Sequence, residues 1–373
     1  MRIQQIFFAL LRAGLWGGPL HDYGCFPLSA EEWQKIYRKA TQHAVQGILF
    51  DAFEYLDHAY LPPRKLMLTW CAQVESIERR NRWMNNLLAE QSAFFSKHQL
   101  YPLLLKGQGL AQCYRRPEHR TCGDIDWYFP SRESFCMANR LIAKQGIAVT
   151  SMAGYSALYD WKGCEVDHHR RLFDFHNPFT RKYLERLVTR KTSHSQSMIT
   201  AAGYDVPVLE PTLQLLQVNA HILKHLLSFG IGLRQLCDAA RLCAVHHHHI
   251  DGTLLQQAYA KTRTLKWVEV LHRILVDHIG LPEALLPFPL VGGKGDGRWM
   301  LQEVWNGGNF GFYDETHPTI AVDGRIKRKG KVRKIWQNFR RYFPYAPAEA
   351  FFFPIVQLYS GLTNSKEMKG GMS

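Results

Sequence analysis

The sequence predicts an α+β fold in which a central sheet is flanked by helical sections. Two observations predict it. Apolar residues recur at helical spacing from Ile3 to about Gln99, and again from Pro211 onward. Between these sections, short apolar runs alternate with polar residues and are bounded by glycine, which is typical of strands. We therefore divide the chain into an N-terminal helical section (1–98), a sheet-containing core (99–210) and a C-terminal helical section with a basic tail (211–373).

The elements follow in order from local signals. A helix is expected after Ser29, a good N-cap residue, and a longer one over 66–98. "YPLLLKG" and "DIDWYF" read as short strands, and "RESFCMANRLIAKQG" as a helix closed by Gly146. Lys162-Gly163 is expected to form the turn between the strands "YSALYDW" and "CEVDHHRRL". On the helix "PTLQLLQVNAHILKHLL", a polar stripe containing His221 and His225 is expected to face the site.

Composition limits the class of protein. With 46% apolar and 21% charged residues, the chain has an ordinary globular composition. The eight cysteines lack the spacing of a zinc site or a disulfide scaffold, so we expect reduced thiols. The apolar run Ile6–Leu11 is too short for a spanning helix, and we expect a cytoplasmic protein. The net charge of +14 favours anionic partners.

Carboxylates carry the clearest chemical signal. Strand side chains alternate between faces, so Asp124 and Asp126 share one face of "DIDWYF". Glu165, Asp167 and His169 share one face of "CEVDHH" in the same way. Clustered carboxylates repel one another unless a cation neutralises them, and Mg²⁺ prefers oxygen ligands. If the two strands are neighbours, the pattern predicts a metal site for phosphoryl or nucleotidyl transfer.

These segments also resemble a known family. A strand, a glycine turn, "GDIDWYF" and a carboxylate on a later strand resemble the nucleotidyltransferase superfamily, which has the DNA polymerase beta-like fold. More narrowly, "LLLKGQGLAQCYRRPEHRTCGDIDWYF", "EVDHHRRL" and "GIGLRQLCD" resemble a family of uncharacterised bacterial nucleotidyltransferases. The resemblance implies a mixed sheet and Mg²⁺-dependent transfer of a nucleoside monophosphate from an NTP, expected to be ATP. The superfamily turn is usually Gly-Gly or Gly-Ser, whereas this chain has Lys106-Gly107.

The resemblance also implies roles for individual residues. Asp124 and Asp126 would bind Mg²⁺, with two ions expected, and Asp167 would be the third catalytic and metal-binding carboxylate. Glu165 is the alternative for that third position because it shares the face of Asp167. The residues expected to contact the nucleotide are Lys106, Gly107, Arg120, His169 and Arg234. Arg120 has an alternative role in pairing with carboxylates, and Arg234 in pairing with Asp238 one helical turn later.

The acceptor stays open at this stage: a small molecule, a sugar, a protein side chain and RNA all fit. Transfer or hydrolysis on another phosphate ester is one alternative function, and a catalytically silent nucleotide- or partner-binding protein is another.

The basic tail contributes most of the net charge. Nine Lys or Arg and no acid lie between Arg325 and Arg341, which leaves +5 for the rest of the chain. An apolar stripe accompanies these cations at helical spacing: Val332, Ile335, Trp336, Phe339 and Phe343. We expect this stripe to dock on the protein core. Contact of residues 325–343 with nucleic acid or an anionic membrane is the alternative.

Overall fold

The structure is a computed structural model, and it describes residues 2–20, 24–152, 155–192, 197–290, 297–313, 319–322, 325–328 and 331–370. Its α-helices are α1 (Arg2–Trp16), α2 (Ala30–Gln42), α3 (Gln46–Asp51), α4 (Arg64–Lys97), α5 (Gly107–Ala111), α6 (Arg132–Lys144), α7 (Arg181–Thr192), α8 (Pro211–Ser228), α9 (Leu233–His246), α10 (Gly252–Thr262), α11 (Leu265–Ile274), α12 (Arg298–Gly307), α13 (Lys331–Tyr342) and α14 (Pro347–Gly370). None of these helices carries an apolar stretch long enough to cross a bilayer.

Seven strands form one mixed sheet. The described residues contain these seven strands, β1 to β7, and two more. Their bounds are β1 (Leu103–Leu105), β2 (Ile125–Tyr128), β3 (Thr150–Met152), β4 (Ser156–Trp161), β5 (Cys164–His169), β6 (Ser197–Ala201), β7 (Tyr204–Val208), β8 (Thr319–Val322) and β9 (Arg325–Arg328). The order in the sheet is β3-β4-β5-β2-β1-β7-β6, and β8 pairs separately with β9. The middle strand, β2, runs parallel to β5 and antiparallel to β1. The predicted α+β class with a mixed sheet is confirmed.

Each face of the sheet is covered by a hydrophobic core. Ile125, Trp127 and Val166 point to one face, where they pack with residues of α4 and α6. Leu103 and Leu105 point to the other face, whose core draws on helices at both ends of the chain. The division at residues 98 and 210 stays a prediction, because this second core contains residues of all three sections.

Local signals placed several elements correctly. Ser29 caps α2 in a reciprocal pair with Glu32, whose backbone N–H donates to Ser29 Oγ over 3.2 Å. Lys162 and Gly163 both take positive φ, 54° and 89°, as a two-residue hairpin turn between β4 and β5 requires. The hairpin of β6 and β7 was not predicted. Pro207 lies inside β7, and a proline argues against a strand when only the sequence is read.

The basic tail helix α13 docks through a different face from the one predicted. Its buried residues are Lys334, Asn338 and Tyr342. Asn338 Nδ2 donates to the carbonyl oxygens of Leu226, Leu227 and Ser228, each at 3.0 Å, which satisfies the C-terminal end of α8. The nearly buried Glu303 carboxylate accepts from Lys334, Arg341 and Tyr342.

The predicted apolar docking stripe is therefore wrong for most of its members. Val332, Trp336 and Phe343 are 76%, 54% and 44% exposed, and only Ile335 and Phe339 pack partly against the core. The physical reason is that the unsatisfied carbonyls of α8 and the desolvated carboxylate of Glu303 need hydrogen-bond donors. Because the polar side of α13 supplies these donors, it packs against the protein, and the apolar side faces outward.

Candidate active site

The register of two parallel strands brings the acidic residues together. Asp126 of β2 lies beside Asp167 of β5, and Tyr128 lies beside His169. Side chains alternate along a strand, so Asp126, Asp167 and His169 point to the face opposite Trp127 and Val166. Residues separated by about 40 positions in the sequence thus become neighbours on one face.

These three side chains form a compact cluster. His169 Nε2 lies 2.7 Å from Asp126 Oδ1 and 3.4 Å from Asp167 Oδ2. One ligand atom from each of Asp126, Asp167 and His169 lies within 4.8 Å of the other two. Within the described ranges, no other group of three histidine, cysteine or acidic side chains comes this close together. We call Asp126, Asp167 and His169 the carboxylate cluster.

A strained turn places a lysine on the cluster. Lys106 and Gly107 both have positive φ, 48° and 42°, directly after β1. A Cβ added at Gly107 would make only ordinary contact with the Asp124 carbonyl oxygen, at 3.5 Å, so the backbone conformation rather than space calls for glycine there. Lys106 has no such freedom and is strained. Its Nζ lies 3.3 Å from Asp126 Oδ2.

Helix α4 holds this turn and the loop before β2 in place. The buried Asn81 accepts a hydrogen bond from Gln108 of α5 at 3.1 Å. Asn81 Nδ2 donates to the carbonyl oxygens of Glu118 and Arg120, at 2.6 and 2.9 Å. One buried amide therefore fixes α5 relative to the loop that leads into the acidic strand.

Asp126 is held in its charged form. Burial disfavours the carboxylate, but Lys106 and His169 outweigh it, so the pKa of Asp126 lies well below its ordinary value. Burial likewise disfavours the charged imidazole of His169. The hydrogen bond and the charge of Asp126 outweigh that effect, and the pKa of His169 is raised. Asp126 therefore favours the charged forms of Lys106 and His169, although the charges of these two groups oppose each other.

The surroundings of Asp167, unlike those of Asp126, disfavour the charged form. Burial, opposed by His169 and reinforced by the Asp126 carboxylate, raises the pKa of Asp167 to about 6. Its Oδ1 atom is buried and accepts no hydrogen bond from the described residues. The alternative carboxylate, Glu165, is exposed one strand repeat earlier and is not a member of the cluster. Of these two carboxylates, Asp167 is therefore the one that lies with Asp126.

Asp124 lies just before β2 and outside the carboxylate cluster. Its side chain stays accessible, but neighbouring groups limit its hydration and Asp126 repels it, so the pKa of Asp124 is raised. Arg234 of α9 is close enough to oppose this shift. Arg234 Nη1 donates to the Thr121 carbonyl oxygen at 2.7 Å, while its buried Nε has no partner among the described residues.

Arg120 is engaged away from the cluster. Its guanidinium makes a two-pronged pair with Asp238, Nε to Oδ1 and Nη2 to Oδ2, both at 2.7 Å. The two side chains are 5% exposed, and Tyr114 donates a further hydrogen bond to Asp238. The structure thus gives Arg120 a carboxylate partner, but this partner is Asp238 and not Asp124 or Asp126. Asp238 is consequently not paired with Arg234.

Comparison with known proteins assigns the family. The sequence profile described as "uncharacterised nucleotidyltransferase" matches residues 29–277, more than half of the chain and all of the cluster. The chain belongs to this nucleotidyltransferase family. The crystal structure of an antigenic nucleotidyltransferase-like protein from Paracoccidioides brasiliensis is similar over 47% of this chain and 85% of that chain, with 12% identity and a TM-score of 0.33. No curated protein is detectably similar in sequence.

The matched family segment includes a second polar group, in which Asp174 is the residue that the sequence did not single out. Asp174, which follows β5, accepts from Lys224 Nζ at 2.8 Å and lies 3.1 Å from His221 Nδ1, both on α8. Burial and the charge of Lys106 lower the pKa of His221 to about 4, so this imidazole is neutral at pH 7. An acidic residue between Phe173 and Phe175 was the only signal for Asp174. The predicted polar stripe of α8 lies here, close enough to interact electrostatically with the cluster.

Proposed function

We propose that this nucleotidyltransferase-family protein transfers a nucleoside monophosphate from an NTP, ATP being the expected one, to a hydroxyl-type acceptor with the help of Mg²⁺. The observation that carries the proposal is the pairing of Asp126 with Asp167 on adjacent parallel strands. Both carboxylates lie beside a lysine-bearing glycine turn, on one face of the sheet. This arrangement suits a reaction in which phosphate charge must be neutralised.

The residues present fit a magnesium site. Asp167 Oδ1 is a buried carboxylate oxygen that accepts no hydrogen bond from the described residues, and burial raises the pKa of Asp167, so a bound cation would stabilise its charged form. Asp126 and Asp167, with the accessible Asp124 beside them, would hold the metal. His169 suits a supporting role better, because Mg²⁺ prefers oxygen and His169 already orients Asp126. When bound, Mg²⁺ would neutralise phosphate oxygens and favour departure of the leaving group.

Three side chains would bind the phosphates and accept the proton. Lys106 would place a positive charge near the phosphates beyond the α-phosphate. Arg234 would bind phosphate through the guanidinium N–H groups that do not donate to the Thr121 carbonyl oxygen. Asp167, as the third carboxylate, would accept the proton of the acceptor hydroxyl. The acceptor oxygen then bonds to the α-phosphorus, the bond to the bridging oxygen breaks, and pyrophosphate leaves.

Ligand-dependent stability tests this proposal. Mg²⁺ with ATP is expected to raise the melting midpoint of the protein by mass action, and neither alone should produce the full shift. Asp124→Asn with Asp126→Asn should abolish the shift, whereas Glu165→Gln, an exposed carboxylate on a site strand, serves as the matched control. Release of pyrophosphate on addition of candidate acceptors measures turnover. An equal shift in the double variant would place the nucleotide elsewhere and overturn the proposal.

One observation favours a second candidate function. Lys106 and His169 both contact Asp126, so the site carries part of its own counter-charge. A catalytically silent nucleotide-binding protein would use the same residues in this way. An ATP-dependent shift that is unchanged by EDTA, with no pyrophosphate released, would select this candidate.

A further inference from the structure

The outward face of α13 is apolar and aromatic. Val332 and Trp336 on this helix, and Phe343 directly after it, are all strongly exposed. The rings of Trp336 and Phe339 stack at 5.2 Å with an interplanar angle of 13°, and Phe339 contacts Phe343 at 5.3 Å. The Arg340 guanidinium lies over the Trp336 ring at 5.2 Å. The helix therefore presents an ordered row of rings with a cation attached.

The next helix adds aliphatic surface. On α14, Phe351, Ile355 and Leu358 follow one another at helical spacing and are 51%, 48% and 67% exposed. No charged residue occurs between Ala350 and Leu358. Helices α13 and α14 pack against each other, so the two apolar rows lie on neighbouring helices. We call Val332, Trp336, Phe343, Phe351, Ile355 and Leu358 the tail surface.

The charge around the tail surface identifies the kind of partner. Residues 325–341 carry nine cations and no acid. Lys334 and Arg341 pair with Glu303, but Arg333 and Arg340 are exposed beside the apolar row. A second copy of the chain would bring like charges together, which opposes self-association. Nucleic acid would match the cations and stack on the rings, but it offers nothing to Val332, Ile355 or Leu358.

We propose that the tail surface binds an anionic lipid bilayer and lies in its interfacial region. Aromatic and aliphatic side chains would enter the boundary between headgroups and acyl chains, and the flanking arginines would contact lipid phosphates. Exposed apolar rows of this extent are rare on soluble monomers without a partner. The tail surface lies outside residues 29–277, so the inference is independent of the activity proposed for the family segment.

Vesicle co-sedimentation of the full chain tests the proposal. The protein is expected to bind vesicles of phosphatidylglycerol and phosphatidylcholine about tenfold more strongly than vesicles of phosphatidylcholine alone, and the binding should weaken as salt is raised. Trp336→Ser with Phe343→Ser, and separately Phe351→Ser with Ile355→Ser, should each lower binding to the anionic vesicles about tenfold. Leu68→Ser with Tyr101→Ser, two positions exposed to 62% elsewhere, is the matched control and should bind like the parent.

Unchanged melting curves will show that the variants fold, as expected for exposed positions. The proposal is overturned by equal binding to both vesicle types, by absence of binding, or by variants that bind like the parent. It is also overturned if the tail-surface substitutions weaken binding to single-stranded RNA but not to vesicles, or if they only dissociate a dimer seen by sedimentation.

Discussion

At the scale of single residues, Asp167 is a carboxylate whose surroundings disfavour its charged form. Its pKa is raised to about 6, against an ordinary value of 3.8, and one carboxylate oxygen has no donor among the described residues. Above pH 6 the folded protein therefore holds an ionised group that the unfolded chain tolerates better. Such a carboxylate costs stability, and groups with perturbed pKa values of this kind cluster at functional sites.

Replacing this carboxylate should separate stability from function. In EDTA at pH 8, Asp167→Asn is expected to raise the free energy of unfolding by up to about 3 kcal/mol, since a neutral side chain removes the charge cost. The gain should shrink as the pH falls towards 5, where Asp167 in the parent takes up a proton. The same variant should lose the shift with Mg²⁺ and ATP. Urea denaturation measures the first effect, and a variant less stable than its parent at pH 8 would contradict it.

Replacing Arg120 is expected to affect mainly stability, whereas replacing Arg234 is expected to affect mainly ATP binding. Arg120→Gln leaves Asp238 buried without its cation and is expected to lower the free energy of unfolding by about 3–5 kcal/mol. Arg234→Gln removes a desolvated charge whose pKa is already lowered by burial and by Arg120, so it should change stability much less and raise the KM for ATP. Thermal melts and substrate titrations distinguish the two. A stable Arg120→Gln protein with weak ATP binding would restore the nucleotide role predicted for Arg120.

At the scale of elements, α4 and α13 each act through a polar side that the apolar pattern does not reveal, whereas the polar stripe of α8 was predicted. Asn81 of α4 fixes the glycine turn, and Asp174 anchors the polar stripe of α8 beside the cluster. Asn338 of α13 caps the C-terminal end of α8. Apolar periodicity indicates where a helix is, but the unsatisfied groups of its neighbours decide which side it turns inward.

Substitutions on α13 test that conclusion. Asn338→Ala should lower the free energy of unfolding by about 1–3 kcal/mol, because it leaves the C-terminal carbonyl oxygens of α8 without a buried donor. Trp336→Ala, at an exposed position, should change it by less than about 0.5 kcal/mol. Both values come from chemical denaturation of the full chain. The reverse order would show that the apolar side of α13 is the docked one.

At the scale of the whole molecule, a buried ionic network joins the N-terminal helices to the site loop. His119, which directly precedes Arg120, lies 2.6 Å from Asp51 Oδ1 and 2.9 Å from Glu78 Oε1. Arg116 also pairs with Asp51. Burial opposes the charged imidazole, but the hydrogen bonds and charges of Asp51 and Glu78 outweigh it and raise the pKa of His119. The loop before β2 is thus tied to α3 and α4.

The raised pKa of His119 predicts how this link depends on pH. Its contribution is fully present below the unfolded value of about 6.5 and is lost as the pH rises through the higher folded value. His119→Gln should therefore lower the free energy of unfolding more at pH 6, by about 1–3 kcal/mol, than at pH 9. Urea denaturation at both pH values measures the difference. An effect that is larger at pH 9 would contradict the assignment.

The sequence by itself determined the class of fold, most element positions and the carboxylates. Alternation with period two depends only on local backbone geometry, so Asp126, Asp167 and His169 could be assigned to faces of their strands. The N-cap at Ser29 and the hairpin turn at Lys162-Gly163 depend on residues within the same turn, and they were predicted for the same reason. Local rules succeed where the interacting groups are near in sequence.

Only the tertiary structure decided which distant groups meet. The pairing of β2 with β5 brings Asp126 next to Asp167. The packing of α9 brings Asp238 within ion-pair distance of Arg120. The side of α13 that is buried depends on hydrogen bonds to Glu303 and to the carbonyl oxygens of α8. None of these groups is adjacent to α13 in the sequence. Hydrogen-bond donors and charges are satisfied by whichever partner the fold brings near. Their pairing therefore follows from packing, which a periodic pattern does not encode.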